Sequence, residues 1–82
     1  MPDTFRIPII LELQPEGGYT VTSPLLPELI TEGDTQDEAI ENAWDALQAL
    51  RDAYEYLGRP FPLDLPRTLR RDAVHFDHRA TA

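Results

Sequence analysis

The hydrophobic period of this chain changes once, at Gly33-Asp34-Thr35, and that single change confines the fold. Before it, Phe5, Ile7, Ile9, Leu11 and Leu13 occupy every second position, with Thr4, Arg6, Pro8 and Glu12 between them and Ile10 alone out of step. Period two is the pattern of a strand with one buried face. After it, Ile40, Ala43, Leu47, Leu50, Tyr54 and Leu57 recur at steps of three and four, which gathers one apolar stripe on a helix. Strands followed by one long helix read as α+β.

Local signals fill in the elements. Gln14-Pro15-Glu16-Gly17-Gly18 carries turn chemistry: proline presets φ, and paired glycines reach the positive φ values of a tight hairpin. Tyr19 to Ser23 resumes alternation, with Tyr19 and Val21 on one face and Thr20 and Thr22 on the other, until Pro24 and Pro27 end it. Leu29 to Glu32 reads as a third strand, stopped by Gly33-Asp34. Pro8 cannot donate to a ladder, so either pairing begins after it or its nitrogen faces an unpaired edge.

Thr35 and Glu38 form a capping box, in which the Thr35 hydroxyl accepts the Glu38 amide and the Glu38 carboxylate reaches back to the Thr35 amide. Asp37, Glu38 and Glu41 put negative charge where the macrodipole favours it. Gly58 suits the C-terminal cap and Pro60 blocks continuation, giving a helix of roughly six turns. Arg59 to Pro66 is a proline-spaced segment placed to lay Phe61, Leu63 and Leu65 along the domain. Thr68 to Arg71 suggests a short turn, and Val74 to His78 a fourth strand with Val74 and Phe76 on one face.

The 82 residues are expected to form one domain, with its core in 4–58, a linker in 59–66 and a C-terminal segment in 67–82. A chain this short buries only about 60 % of its unfolded surface, so a thin core and an open sheet edge favour a homodimer. It contains no cysteine, so neither a disulfide nor a thiolate zinc site is available. The N-terminal apolar run lacks a basic leader and is too short to span a bilayer, and a cytoplasmic location is expected.

Charge divides the chain in two. Residues 1–58 hold twelve acids against two arginines, a balance of −10, and residues 59–82 hold three acids against five arginines, a balance of +2. An acidic body repels the phosphate backbone and attracts basic proteins. Arg67, Arg70 and Arg71 in the C-terminal segment are the only candidates for phosphate contact, set against the plainer reading of a solvated charge cluster.

Catalytic constellations are weak. A two-metal nuclease needs several carboxylates converging from strand and helix. Glu12 on the first strand and Asp37, Glu38 and Glu41 on the helix are the available acids, and the helix acids are already explained by capping. His75, Asp77 and His78 make an HxDH run, but strand alternation puts His75 and Asp77 on one face and His78 on the other. No catalytic, metal or cofactor set is therefore assigned. Trp44, beside the apolar stripe, reads either as core packing or as an interface anchor.

Gly17-Gly18-Tyr19, Pro24-Leu25-Leu26-Pro27, Gly33-Asp34-Thr35, Glu38-Ala39, Asn42 and Ala43 together make the chain resemble the HicB antitoxin family over Phe5 to Leu57. The resemblance implies a partial ribonuclease-H-like fold, with three antiparallel strands, a helix and a further strand beside the first. In this motif Ala39, Ala43 and Ala46 let the helix lie close on the sheet. The family usually has aspartate after the first proline and glycine after the second, where this chain has Leu25 and Glu28. Family members also commonly carry a separate DNA-binding domain, for which the residues after Gly58 are too few, so DNA binding is not expected of this chain.

What the resemblance implies is a non-enzymatic module that sequesters a small basic RNA-cleaving toxin of the HicA type. Glu28, Glu32 and Trp44 are then the candidate partner-binding residues. Two alternatives remain open at this level: a HicB-like domain that binds another protein or only itself, and a divalent-metal nuclease.

Overall fold

The computed structural model describes residues 5–63, 65 and 73–81, with the side chains of 78–81 excepted. Three strands come first: β1 (Phe5–Leu13), β2 (Tyr19–Thr22) and β3 (Ile30–Gly33). They are followed by one helix, α1 (Gln36–Tyr56), and a last strand, β4 (Val74–Thr81). The sheet order is β3-β2-β1-β4. Neighbours β1 and β2, and β2 and β3, are antiparallel, while β4 returns beside β1 in the parallel sense.

The first hairpin closes as its residues dictate. The Gly17 amide donates to the Gln14 carbonyl at 2.9 Å and the Gln14 amide to the Gly18 carbonyl at 3.0 Å. Both glycines hold positive φ, 98° and 85°, a region that residues with a Cβ enter at a cost. Register then sets Leu11 opposite Val21 and Leu13 opposite Tyr19. The pairing of β1 with β2 begins at Ile10, after Pro8, while the ladder with β4 runs past the proline from Phe5 onward, so pairing is late on the β2 side alone. Upstream of that point Ser23 takes over: its hydroxyl donates to the Pro8 carbonyl at 2.8 Å and accepts the Leu25 amide at 3.3 Å. Ser23 is thereby buried with its polar atom satisfied.

The third strand is shifted one residue from the expected 29–32. Leu29 is fully buried and belongs to the preceding turn, where its amide donates to the Leu26 carbonyl at 2.9 Å. Apolar demand at Leu26 and Leu29 anchors that loop, and the ladder starts only at Ile30. The fourth strand is longer than the expected 74–78, because all eight of its residues find a partner on β1, from Phe5–Val74 to Glu12–Thr81.

Thr35 caps α1, its hydroxyl accepting the Glu38 amide at 3.1 Å. The Glu38 carboxylate reaches back one residue further than the capping box predicts, to the Asp34 amide at 3.1 Å. At the other end the Gly58 amide donates to the Glu55 carbonyl and the Arg59 amide to the Tyr54 carbonyl. With Gly58 at φ 67°, this is the paired-bond terminator that glycine makes possible.

The core lies between α1 and one sheet face. Ile7, Ile9, Leu11, Val21 and Val74 supply the sheet side; Ala39, Ala43, Trp44 and Leu47 supply the helix side; Leu26 and Leu29 close one end. The buried stripe is thus turned toward Ala39 and Trp44 relative to the sequence expectation. Leu57, the capping residue just beyond α1, is 62 % exposed. Phe61, Leu63 and Leu65 are half-buried against the same core, as the proline-spaced segment predicted.

Gly33 decides how close the helix sits. Opposite Tyr19 in the register, it lies on the helix side of the sheet, and a Cβ there would come within 2.4 Å of the Ala39 amide nitrogen. The helix start rests directly on the end of β3, and Ala39 and Ala43, both fully buried, keep the remainder close.

Candidate partner-binding surface

The other sheet face carries no helix. Strand alternation assigns it Arg6, Pro8, Ile10 and Glu12 of β1, Thr20 and Thr22 of β2, Ile30 and Glu32 of β3, and His75 and Asp77 of β4. Register aligns Ile10, Thr22 and Ile30 in one row and Glu12, Thr20 and Glu32 in the next. Ile30 is 67 % exposed. At the far end the Arg6 guanidinium donates to the Asp77 carboxylate at 2.8 Å, an exposed pair of the kind that contributes little to stability.

Glu28, Glu32 and Trp44 are not brought together. Glu32 stands exposed on the open face, while its own carbonyl accepts the Asn42 side-chain amide at 2.7 Å. Glu28 lies in the β2–β3 loop, at the opposite end of β3, and its carboxylate accepts the Tyr54 hydroxyl. Tyr54 also meets Phe61 edge to face at 5.3 Å between ring centres. Glu28, helix end and proline-spaced segment are therefore linked through one phenol. The hydrogen bond to Glu28 holds the Tyr54 hydroxyl above its ordinary pKa, with desolvation and the Glu28 charge acting in the same direction. Trp44 takes the packing position, 8 % exposed within the core. Arg67, Arg70 and Arg71 lie outside the described residues.

The acids of the surface follow two lines. Asp37, Glu41, Asp45 and Asp52 are all exposed along the outer side of α1, and no basic residue stands in its last turn. Acids at i,i+4 spacing, and acids near a helix C-terminus, both oppose helix formation slightly. Glu16, Glu32, Asp34 and Glu38 line an open cleft of about 380 Å³ between the first hairpin and the start of the helix. Among the described residues, no group of three or more His, Cys, Asp or Glu is placed to hold a metal ion. Glu12 points to the open face while the helix covers the opposite one, so Glu12 and the helix acids do not converge. His75 and Asp77 share the open face as predicted, and Asp77 is engaged by Arg6.

Two residues shape this surface through contacts that the sequence did not reveal. Asn42, on the helix, takes the Glu32 carbonyl across elements, and a helical asparagine amid acids gives no local sign of that. Tyr54 lies on the predicted stripe, but only the return of the β2–β3 loop shows that its hydroxyl meets Glu28.

No family model matches the chain. Curated relatives do. Antitoxin HicB 1 of Photorhabdus laumondii is 44 % identical over 61 residues, covering 74 % of this chain and 39 % of the relative. Antitoxin HicB of Escherichia coli K12 is 43 % identical over 63 residues, covering 72 % of this chain and 46 % of the relative, and the O157:H7 protein matches equally. Over that stretch the chain is similar to antitoxins of the HicB family. It spans less than half the length of these relatives. The HicB resemblance of the loop and turn residues thus coincides with an independent likeness over about three quarters of the chain. The β-β-β-α-β order agrees with it. No helix among the described residues is long and apolar enough to cross a membrane.

Proposed function

We propose that this HicB-like domain acts as an antitoxin module that sequesters a small basic RNA-cleaving toxin of the HicA type by protein–protein contact, without catalysis of its own. The observation that carries the reading is the 43–44 % identity to proteins named antitoxin HicB. Electrostatics supports it: the −10 balance of residues 1–58 would draw a basic partner and raise its association rate more than its final affinity. Asp45 and Asp52, exposed on α1 beyond its first turns, add to that acidic surface.

Within this reading Glu28 and Glu32 are exposed acids at opposite ends of β3, and Trp44 supports the helix that carries the acidic line. The test is co-expression with a short basic protein encoded beside this chain. A 1:1 pair that co-purifies and loses its RNA cleavage is the expected result. The paired charge reversals Glu28→Arg and Glu32→Arg should slow association several-fold and steepen with falling salt. A neighbour whose RNA cleavage is untouched by stoichiometric addition of this chain overturns the proposal.

A further inference from the structure

One side chain near the end of α1 ties together three segments that are distant in the sequence. The Tyr54 hydroxyl donates to the Glu28 carboxylate of the β2–β3 loop, and the Tyr54 ring meets Phe61 edge to face. The Tyr54 carbonyl accepts the Arg59 amide at 2.9 Å, where the proline-spaced segment begins. Each of these partners is itself held. Glu28 lies between Pro27 and the fully buried Leu29, whose amide donates to the Leu26 carbonyl, so its backbone has little freedom. Phe61, Leu63 and Leu65 pack against the core, and the Leu65 amide donates to the Leu63 carbonyl at 3.0 Å. A hydrogen bond to a carboxylate is roughly twice as strong as one between neutral groups. Glu28 also stands where the HicB pattern has glycine, so this acceptor belongs to the chain itself and not to the shared motif.

We propose that Tyr54 is the catch of a latch that locks the β2–β3 loop and the segment after α1 onto the helix end as one unit, so that drawing Glu28 away from the phenol loosens that segment. The hydroxyl bond fixes the ring, and the fixed ring offers Phe61 its edge-to-face contact, a geometry that aromatic pairs favour. Without the bond the ring is free to turn and Phe61 loses a defined partner. The latch is open to competition, because Glu28 is exposed on a loop that also exposes Leu25. A cationic side chain of another protein that takes the Glu28 carboxylate takes it from Tyr54. Contact at the loop is thereby passed to the stretch of chain that leads from α1 to β4. This inference concerns the free chain and does not depend on the toxin reading.

Amide exchange in the full chain reads the latch at both ends, through the Leu29 amide in the loop and the Arg59 and Leu65 amides in the segment. Glu28→Ala should speed exchange at Arg59 and Leu65 several-fold, the loss of protection expected for one hydrogen bond, while Ala39 at the helix start is unchanged. In the opposite direction, Phe61→Ala should speed exchange at Leu29. Tyr54→Phe keeps the ring and removes the donor, and should act at both ends. Glu28→Gln keeps an acceptor without its charge and should restore most of the protection that Glu28→Ala loses. The phenol supplies a signature of its own by ultraviolet titration, assigned by difference from Tyr54→Phe. Tyr54 should ionise above its ordinary range in the unaltered chain and fall toward that range in Glu28→Gln, with the opposing Arg59 charge present in both. The Glu28 and Tyr54 variants should keep the helix by circular dichroism, and they decide the matter alone if Phe61→Ala does not fold. Exchange that quickens only at Leu29 after Glu28→Ala, or at neither end after Tyr54→Phe, overturns the proposal. So does a Tyr54 phenol whose titration is unmoved by Glu28→Gln.

Discussion

The two faces of this four-stranded sheet are made from the same strands and obey opposite rules. On the helix side, Ile7, Ile9, Leu11 and Val21 are at most 1 % exposed and meet alanines and a leucine of α1 that are fully buried. On the other side, the same strands display threonines, two glutamates, an arginine–aspartate pair and an isoleucine that is mostly in water. Each covered side chain is constrained by volume, since interiors are close-packed and one methylene is felt. Each open side chain is constrained only by what comes to meet it. Stability is therefore concentrated on one face, and the side chains of the other are free to vary.

That contrast can be broken at graded cost. The largest loss should follow Leu47→Ala, which opens a cavity between helix and sheet and should destabilise by about 2–5 kcal/mol, measured by urea unfolding. Gly33→Ala comes next: the added Cβ must displace the helix start from the end of β3, at about 1–3 kcal/mol, and amide exchange should rise first in residues 36–43. Thr35→Ala removes the cap that accepts the Glu38 amide and should cost about 1 kcal/mol, visible as a lower urea midpoint at unchanged slope. Smallest of all, Ile30→Thr on the open face should change stability by no more than about 0.5 kcal/mol. A loss at Ile30 as large as that at Leu47 would mean that the open face is covered in solution, and the contrast would then fail.

Legibility in the sequence followed the same division. Alternation in β1 and the three-to-four spacing in α1 identified the covered face, because burial needs apolar side chains at the period of the backbone. The cap at Thr35 and the terminator at Gly58 were readable because each satisfies local amides or carbonyls with local groups. The candidate surface was less readable. Glu28 and Glu32 stand out as acids in the sequence, yet their separation along β3, and the tether from Glu28 to Tyr54 across 26 positions, depend on contacts between distant segments. Trp44 was balanced between core and interface, and only the rotation of the helix on the sheet turned it inward.

What the sequence determined by itself was the inventory: three strands, a capped and terminated helix, a later strand, and an acidic body with a basic end. These follow from periodicity, turn chemistry and charge, all of which act over a few residues. The place of a later strand beside the first came with the family resemblance; the tertiary structure alone decided that β4 runs parallel there over eight residues, that Asn42 takes the Glu32 carbonyl, and that Gly33 sets the height of the helix. Those outcomes arise where residues far apart in the chain compete for the same space and the same backbone groups, and no local pattern records who wins.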